Sequence, residues 1–246
     1  MELLSDQGLR LDGRKSDELR RLRCRLGAFS WSADGSAYLE MGNTKVLAAV
    51  YGPREPRGGS SGDNSNKEEA ILNVQFSSAA FSTAERKQRQ RGDKRSLEMA
   101  AHLKQTFAAC IQTELYPRSQ IDIFVEVLQT DGGHYCASVN AATLALIHAG
   151  IPLRDYVCAC SASLIKETPL LDISMLESNL GGPELILAAL PKSGEIVLLE
   201  MSQRFHMDHL EKVIDEALEG TRKIRDILDE VVRDHLSKHA KVNDNI

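Results

Sequence analysis

The chain has 246 residues, of which 42% are hydrophobic and 26% are charged, and this composition is typical of a globular protein. Its apolar runs fall well short of the ~20 residues that a bilayer span requires. Charges interrupt the first 14 positions, where a signal peptide would have an apolar segment, so we expect an intracellular protein. The net charge of −5 argues against a surface that is positive all over, and any contact with nucleic acid must therefore be local.

The five cysteines are odd in number and lack the spacing of a disulfide framework, so we expect reduced thiols in the core. Two of them would share one face of a strand, but a metal site needs more ligands than this pair supplies. Two histidine pairs have helical spacings that suit a metal, yet histidines near helix ends commonly face solvent, and we predict no metal site. The cysteines are Cys24, Cys110, Cys136, Cys158 and Cys160, and the histidine pairs are His206 with His209 and His235 with His239.

The first part of the chain alternates apolar and polar residues in short segments, a pattern typical of β-hairpins. Asp34-Gly35 and Gly42-Asn43 mark the first two turns, and Gly52-Pro53 ends the third strand. A polar stretch rich in Gly, Ser and Asn follows, which predicts a long exposed loop. The predicted strands cover residues 19–29, 37–41, 45–51 and 70–78, and the loop covers residues 54–69.

A compact basic segment leads into a predicted helix that begins after Asp93, as its N-cap, and runs through Leu115. Cations at a helix start are unfavourable unless an anion offsets them, so the segment indicates a local site for nucleic acid. The alternative is a solvated charged loop. The cations are Arg86, Lys87, Arg89, Arg91, Lys94 and Arg95, and the expected apolar stripe of the helix is Leu97, Ala101, Phe107 and Ile111.

A glycine turn joins a predicted strand, residues 121–128, to an alanine-rich predicted helix, residues 137–148. The turn reads Asp131-Gly132-Gly133-His134-Tyr135, and backbone N–H groups at such a helix start can converge on a phosphate. No Arg or Lys is present in the turn to hold that anion. The alternative is a tight turn that binds no ligand.

The last third of the chain predicts four further strands and then a long amphipathic helix whose apolar face packs on the core. Asp208 is the expected N-cap, with Glu211 three residues later, and the tail after Ala240 is expected to fray. The strands cover residues 157–165, 170–173, 184–190 and 196–201. This element order predicts an α+β fold, with β-sheets, two interposed helices and a long C-terminal helix, rather than an alternating parallel sheet.

Four segments, in this order and at these separations, resemble the RNase PH family of phosphorolytic 3′→5′ exoribonucleases. Within the family, the resemblance is to the eukaryotic exosome ring subunits that correspond to the catalytic type of archaeal subunit. It covers nearly the whole chain and implies one RNase PH-like domain, residues 1–246, with sub-halves at 1–150 and 151–240 and a frayed tail at 241–246. The segments are Leu11-Asp12-Gly13-Arg14, residues 34–53, Lys94-Arg95-Ser96 and residues 131–155.

The resemblance implies a reaction in which inorganic phosphate attacks the terminal phosphodiester of RNA. Active relatives hold that phosphate with an arginine after the glycine turn, and the matching position here is Tyr135. Gly132, Gly133 and His134 are what remains of the phosphate site. A tyrosine brings no charge at neutral pH, and a histidine with an ordinary pKa of ~6.5 is not a permanent cation.

Active relatives also carry two aspartates six residues apart, in a segment that we interpret as strand and loop. Asp172 retains the first, but Ser178 occupies the second position. Glu177 is adjacent to Ser178, but neighbouring residues of a strand point to opposite faces of the sheet, so we expect that Glu177 does not replace the second aspartate. Both losses predict a catalytically silent protein, since each removes a different part of the chemistry.

The RNA-facing positions are retained. Lys94 and Arg95 match the paired cations that line the RNA path in the family, Arg57 matches an arginine of the pore-neck loop, and Arg91 belongs to the same basic segment. The resemblance therefore implies a non-catalytic exosome ring subunit that guides RNA for processing and decay, without cofactor or metal. Implied partners are paralogous ring subunits, RNA-binding cap proteins, a hydrolytic exonuclease and single-stranded RNA, in nucleus, nucleolus and cytoplasm. Two alternatives stay open: an active phosphorolytic enzyme using Asp172, Arg95 and His134, and a free-standing RNA-binding module.

Overall fold

The computed structural model describes residues 4–5, 8–29, 32–56, 69–86, 93–165, 168–180, 182–204 and 206–243. These residues form an α+β fold with two sheets, and the hairpins predicted from the turn signals are present. The first sheet has the order β1-β2-β3-β5-β4, in which β4 alone runs parallel to its neighbour. Its strands are β1 (Leu22–Leu26), β2 (Gly35–Met41), β3 (Thr44–Arg54), β4 (Ile71–Ser78) and β5 (Gln120–Gln129).

The second sheet is antiparallel and has the order β7-β6-β8-β9. Its strands are β6 (Cys158–Ile165), β7 (Thr168–Leu171), β8 (Glu184–Leu190) and β9 (Glu195–Met201). The helices are α1 (Lys94–Cys110), α2 (His134–His148), α3 (Met175–Asn179) and α4 (Met207–Asn243), with a short 3-10 helix at Thr113–Leu115. Among the described helices, none is long and apolar enough to cross a membrane.

Helix α2 is the centre of the core, because it is buried from Tyr135 to Leu146 and contacts both sheets. Its small side chains permit close approach: a Cβ on Gly35 of β2 would lie 2.2 Å from the Ala145 carbonyl oxygen. The buried Asn140 amide donates to the Ala159 carbonyl at 3.0 Å and accepts from the Ala159 N–H at 2.9 Å. These bonds satisfy a polar side chain in the interior and fix α2 against β6.

Helix α4 packs its apolar face on the second sheet, as its sequence period predicts. Its fully or nearly buried members are Val213, Ala217, Ile224, Leu228 and Val232. The expected N-cap is wrong, however: the helix begins at Met207, so Asp208 lies in the first turn, where its carboxylate is 3.3 Å from His206 Nδ1. The helix also continues to Asn243, three residues beyond the expected start of the frayed tail.

Helix α1 has Asp93 as its N-cap residue, as predicted, but it differs from its prediction in part of its apolar face and in its end. Asp93 makes no side-chain capping bond, and the α-helix stops at Cys110 rather than Leu115. Phe107 and Ile111 of the predicted stripe are buried, but Leu97 is 61% exposed and Ala101 is exposed, because the buried row within the helix shares only Phe107 with the predicted one. That row is Met99, Leu103, Thr106, Phe107 and Cys110. The first turn of α1 therefore presents Leu97 outward, beside a cavity described below.

The cysteines behave as core side chains, and none of the five is bonded to another. Four of them, at positions 110, 136, 158 and 160, are buried, and burial raises the pKa of the Cys158 and Cys160 thiols. A raised thiol pKa leaves little thiolate at neutral pH, so these groups are unreactive. Among the described residues, no group of three or more His, Cys, Asp or Glu side chains is arranged to hold a metal ion.

Candidate active site and RNA interface

The glycine turn lies between the end of β5 and the start of α2, and its backbone conformation requires glycine. Gly132 and Gly133 both have positive φ, at 77° and 58°. A Cβ on Gly132 would lie 2.6 Å from the Ile173 carbonyl oxygen, so the backbone of the turn packs directly on the chain that precedes α3. Two successive left-handed residues are unfavourable for residues with a side chain, which explains the Gly-Gly pair.

Two polar side chains from distant segments hold this turn in place. Arg20 donates to the Asp131 carbonyl oxygen at 2.6 Å and to the Gly132 carbonyl oxygen at 3.4 Å. The Thr44 hydroxyl donates to the Gly132 carbonyl oxygen at 2.8 Å and accepts from the Asp131 N–H at 3.0 Å. The turn is thus fixed from outside, and its shape does not depend on a bound ligand.

A cavity of about 1010 Å³ opens beside the turn. Gly132, Gly133 and His134 line it from one side, Arg95 from the start of α1 and Ser178 from α3. The structure therefore brings together five of the residues singled out from the sequence. Tyr135, Asp172 and Lys94 are not part of the lining, although Lys94 lies beside Arg95 in the first turn of α1. Arg57 and Arg91 lie outside the described residues, as does the loop from 58 to 66.

Tyr135 points into the core rather than into the cavity, since none of its surface is exposed. Its hydroxyl lies 3.1 Å from the Thr106 hydroxyl of α1, and its ring meets His102 edge-on at 6.4 Å between centroids. Burial raises the pKa of Tyr135, so the phenol stays neutral. Tyr135 is therefore a packing contact between α1 and α2.

His134 does line the cavity, but it supplies no charge at neutral pH. Burial and the nearby Arg95 guanidinium lower its pKa from the ordinary 6.5 to about 4. Both causes act against the imidazolium, so His134 is neutral at pH 7. Among the described residues that line the cavity, Arg95 is the one Arg or Lys.

Asp172 is completely buried, and Arg20 occupies both of its carboxylate oxygens. The Arg20 guanidinium donates to Oδ2 at 3.0 Å and to Oδ1 at 2.6 Å, and the Arg20 backbone N–H adds a bond to Oδ2 at 2.8 Å. Burial lowers the pKa of Arg20, but the Asp172 carboxylate raises it by more, so the pKa of Arg20 is raised overall. A buried carboxylate held in this way has a structural role, because it orders the Arg20 side chain and backbone.

The expectation for Glu177 was based on a strand, and that local structure is wrong. Residues Met175–Asn179 form the short helix α3, in which Ser174 and Glu177 make a reciprocal capping box. Glu177 is buried and accepts from Arg10 Nε at 2.7 Å and Nη2 at 2.5 Å. Burial raises the pKa of Glu177, but the hydrogen bonds from Arg10 and Ser174 lower it by more, so this pKa is lowered overall. That Glu177 takes no catalytic role stays a prediction, and its physical basis is now the pairing with Arg10 and not the facing of a strand.

The carboxylate that does line the cavity beside Ser178 is Glu184, at the start of β8, and the sequence analysis missed it. The Ser178 hydroxyl donates to Glu184 Oε2 at 3.2 Å. Burial raises the pKa of Glu184. The hydrogen bond from Ser178 lowers this pKa and the nearby Glu200 carboxylate raises it, and the net shift is upward. Arg10 and Arg20 were also missed. They differ from the other arginines of the N-terminal segment only in their contacts with residues far away in sequence, Glu177 for Arg10 and Asp172 for Arg20.

The sequence matches two adjacent family models, "3' exoribonuclease family, domain 1" over residues 18–152 and "3' exoribonuclease family, domain 2" over residues 155–220. The human protein named exosome complex component RRP41 is 57% identical over 236 residues, which cover 96% of this chain and 95% of the human one.

Two solved structures share the fold at low sequence identity. Rice Rrp46 superposes with a TM-score of 0.80 at 23% identity and covers 91% of this chain and 100% of the rice chain. The Archaeoglobus fulgidus exosome with RNA bound to the active site superposes with a TM-score of 0.77 at 20% identity, covering 89% and 92%. Together with the two matched models, which span both sheets and α2, these likenesses lead to one conclusion: the chain belongs to the RNase PH, or 3′ exoribonuclease, family.

Proposed function

We propose that this chain is an RNase PH-like ring subunit of an RNA exosome that performs no phosphorolysis itself. The observation that carries the proposal is the composition of the cavity, in which Arg95 is the one cation among the described lining residues. Phosphate attack on an RNA phosphodiester brings two anions together, and such chemistry needs several cations placed in advance. A neutral His134 and a Tyr135 turned into the core do not supply them.

The carboxylate side of the site supports the same proposal. Asp172 is enclosed by Arg20, and the second aspartate of active relatives is replaced by Ser178. The carboxyl group of Glu184 lies in the cavity, but its hydrogen bond is with Ser178, and its raised pKa reflects burial away from water. Removing one positioned group from such a site typically costs several orders of magnitude in rate.

The retained function that we propose is guidance of single-stranded RNA. Lys94 and Arg95 are adjacent at the start of α1, whose first turn contains no acidic residue. Phosphate contacts of this kind tolerate any base sequence, as an RNA channel requires. The proposed neighbours are RNase PH-like paralogues in a ring, RNA-binding cap proteins and a hydrolytic 3′→5′ exonuclease. The proposed roles are rRNA maturation and RNA turnover in nucleus, nucleolus and cytoplasm.

A phosphorolysis assay tests the catalytic part of the proposal. The purified chain, alone and combined with its ring partners, is incubated with 3′-tailed RNA and inorganic phosphate. We expect no release of nucleoside diphosphates. Release that disappears in the Arg95→Ala and His134→Ala variants would instead establish the phosphorolytic alternative that uses these residues with Asp172.

Size-exclusion chromatography with light scattering tests the assembly part. We expect the chain to enter a defined heteromeric ring when paralogous subunits are added. A monomer that binds RNA tightly and ignores those subunits would identify a free-standing RNA-binding module instead.

A further inference from the structure

Phe81 has 72% of its surface open to solvent. Among the large hydrophobic residues that the structure describes as exposed, it is the aromatic one with the highest exposure. It follows β4 in a tight turn, where Ala79 and Ser82 on either side of it line the cavity. Phe81 is not itself part of the lining, and an isolated exposed apolar residue is ordinary, but two apolar side chains that do line the cavity are also open to solvent. These are Leu97, which is 61% exposed, and Met175, which is 42% exposed.

The turn that carries Phe81 is tied to the rest of the site at both ends. The Ala79 N–H donates to the Val127 carbonyl oxygen at 2.9 Å, and the Ser82 N–H closes the turn on the Ala79 carbonyl oxygen at 3.0 Å. The Thr130 N–H, one residue before the glycine turn, donates to the Ser82 carbonyl oxygen at 2.9 Å. These bonds fix the backbone of the turn that carries Phe81 relative to the end of β5 and to the glycine turn.

The surroundings of Phe81 match the chemistry of a nucleotide. Within the described part of the chain, neither Lys94 nor Arg95 forms an ion pair, so both cations are available to a phosphate. The cavity wall between them and the turn is rich in hydroxyl groups that can bond ribose and phosphate oxygens. These are Ser78, Ser82, Ser96 and Thr130. A protein–protein contact of the same size would favour a continuous apolar centre over a wall of hydroxyls.

We infer that Phe81 is a stacking platform for one nucleobase of single-stranded RNA, whose backbone phosphates are bound by Lys94 and Arg95. The inference rests on the proposed RNA-guiding function and adds to it the residue that contacts a base. Leu97 and Met175 complete an apolar rim around that base. Stacking on a ring face accepts every base, so this contact adds affinity without sequence preference, and it suits a subunit that must pass any RNA.

The test compares Phe81→Ala with Phe81→Trp in the assembled ring, using a short RNA that carries 2-aminopurine at its 3′ end. Leu115→Ala is the matched control, because Leu115 is 58% exposed but lies beyond the far end of α1. We expect Phe81→Ala to weaken RNA binding about 5- to 100-fold and to relieve the quenching of 2-aminopurine. Phe81→Trp should restore both properties, and Leu115→Ala should change neither.

A second RNA with an abasic 3′-terminal residue separates stacking from other effects. Wild-type protein should bind it about as weakly as Phe81→Ala binds the normal RNA, and Phe81→Ala should cause no further loss. If Phe81→Ala instead impairs ring assembly and assembled rings bind RNA normally, Phe81 is a subunit contact and the inference is overturned. Normal binding by Phe81→Ala with weak binding by Lys94→Glu/Arg95→Glu rejects this inference alone. Normal binding by both variants rejects the RNA-guiding function as well.

Discussion

Arg20 and Asp172 form a buried, two-pronged ion pair across 152 residues of sequence, with bonds of 3.0 and 2.6 Å from the guanidinium to the two carboxylate oxygens. The same guanidinium also donates to the Asp131 and Gly132 carbonyl oxygens of the glycine turn. One arginine therefore links Asp172 to the glycine turn that borders the cavity. The frame of the cavity persists because it is held by charge pairing that does not need substrate.

Arg20→Ala should destabilise the protein by about 3–5 kcal/mol, because it leaves the Asp172 carboxylate buried without its partner. Urea denaturation followed by circular dichroism measures this loss. Arg233→Ala is the control, since Arg233 pairs with Asp229 on the exposed surface of α4 and its removal should have little effect. A loss for Arg20→Ala no larger than for the control would contradict the structural role of this pair.

Glu177 should make stability depend on pH at the acid end. Its pKa in the folded protein lies below the ordinary 4.5, so the folded state binds a proton less readily than the unfolded state. The resulting stabilisation is complete above about pH 4.5 and is lost as the pH falls through the lowered pKa. Thermal unfolding of the wild type and of Glu177→Gln between pH 3 and 7 tests this. The variant should be less stable at pH 7, and the difference should shrink at low pH. A constant difference across the range would argue against the Arg10 pairing.

His134 should titrate far below the normal range for histidine. NMR of the ring protons should give a midpoint near pH 4, because burial and Arg95 both disfavour the charged form. A lowered pKa means that the contribution of His134 to stability is present above the unfolded value of 6.5 and declines as the pH falls towards 4. In Arg95→Ala the midpoint should rise. A wild-type midpoint above 6 would show that His134 can supply a cation to the cavity, and would weaken the proposal of catalytic silence.

The hydrogen bond between Tyr135 and Thr106 should be measurable by a double-mutant cycle. Tyr135→Phe should cost about 1 kcal/mol of stability, because it leaves the buried Thr106 hydroxyl with fewer partners. Thr106→Val should cost a similar amount, and the double variant should cost less than the sum. Strict additivity would mean that the two hydroxyls do not interact, and that Tyr135 is free to turn towards the cavity.

Lys94→Glu combined with Arg95→Glu should weaken RNA protection by the assembled ring while leaving assembly intact, since both side chains lie at the start of α1 and carry no internal ion pair among the described residues. Nuclease protection of a long single-stranded RNA is the measurement. RNA protection by the wild-type ring should also fall at high salt, because binding to phosphates releases counterions. Unchanged protection in the double variant would count against an RNA path along α1.

Periodicity in the sequence was a sound guide to the regular elements. The alternation in β5 and the threes and fours in α4 predicted both elements to within a few residues, because each buries one face against a large core. The short helix α3 was missed, although Ser174 and Glu177 have the spacing of a capping box, since five residues are too few to show a period. The predicted face of α1 was right at Phe107 and Ile111 but wrong at Leu97, which is apolar yet lines a cavity.

The sequence by itself determined the family and the α+β fold, because both follow from residue identity and order, and it predicts the replacement of two chemical groups, at Tyr135 and Ser178. Only the tertiary structure decided what the remaining groups do. Asp172 is paired with Arg20, Glu177 with Arg10, and Ser178 with Glu184. These partners are brought together by folding, and burial then decides which charges persist. No local pattern carries that information, because the field at a side chain depends on the whole set of neighbours that packing places around it.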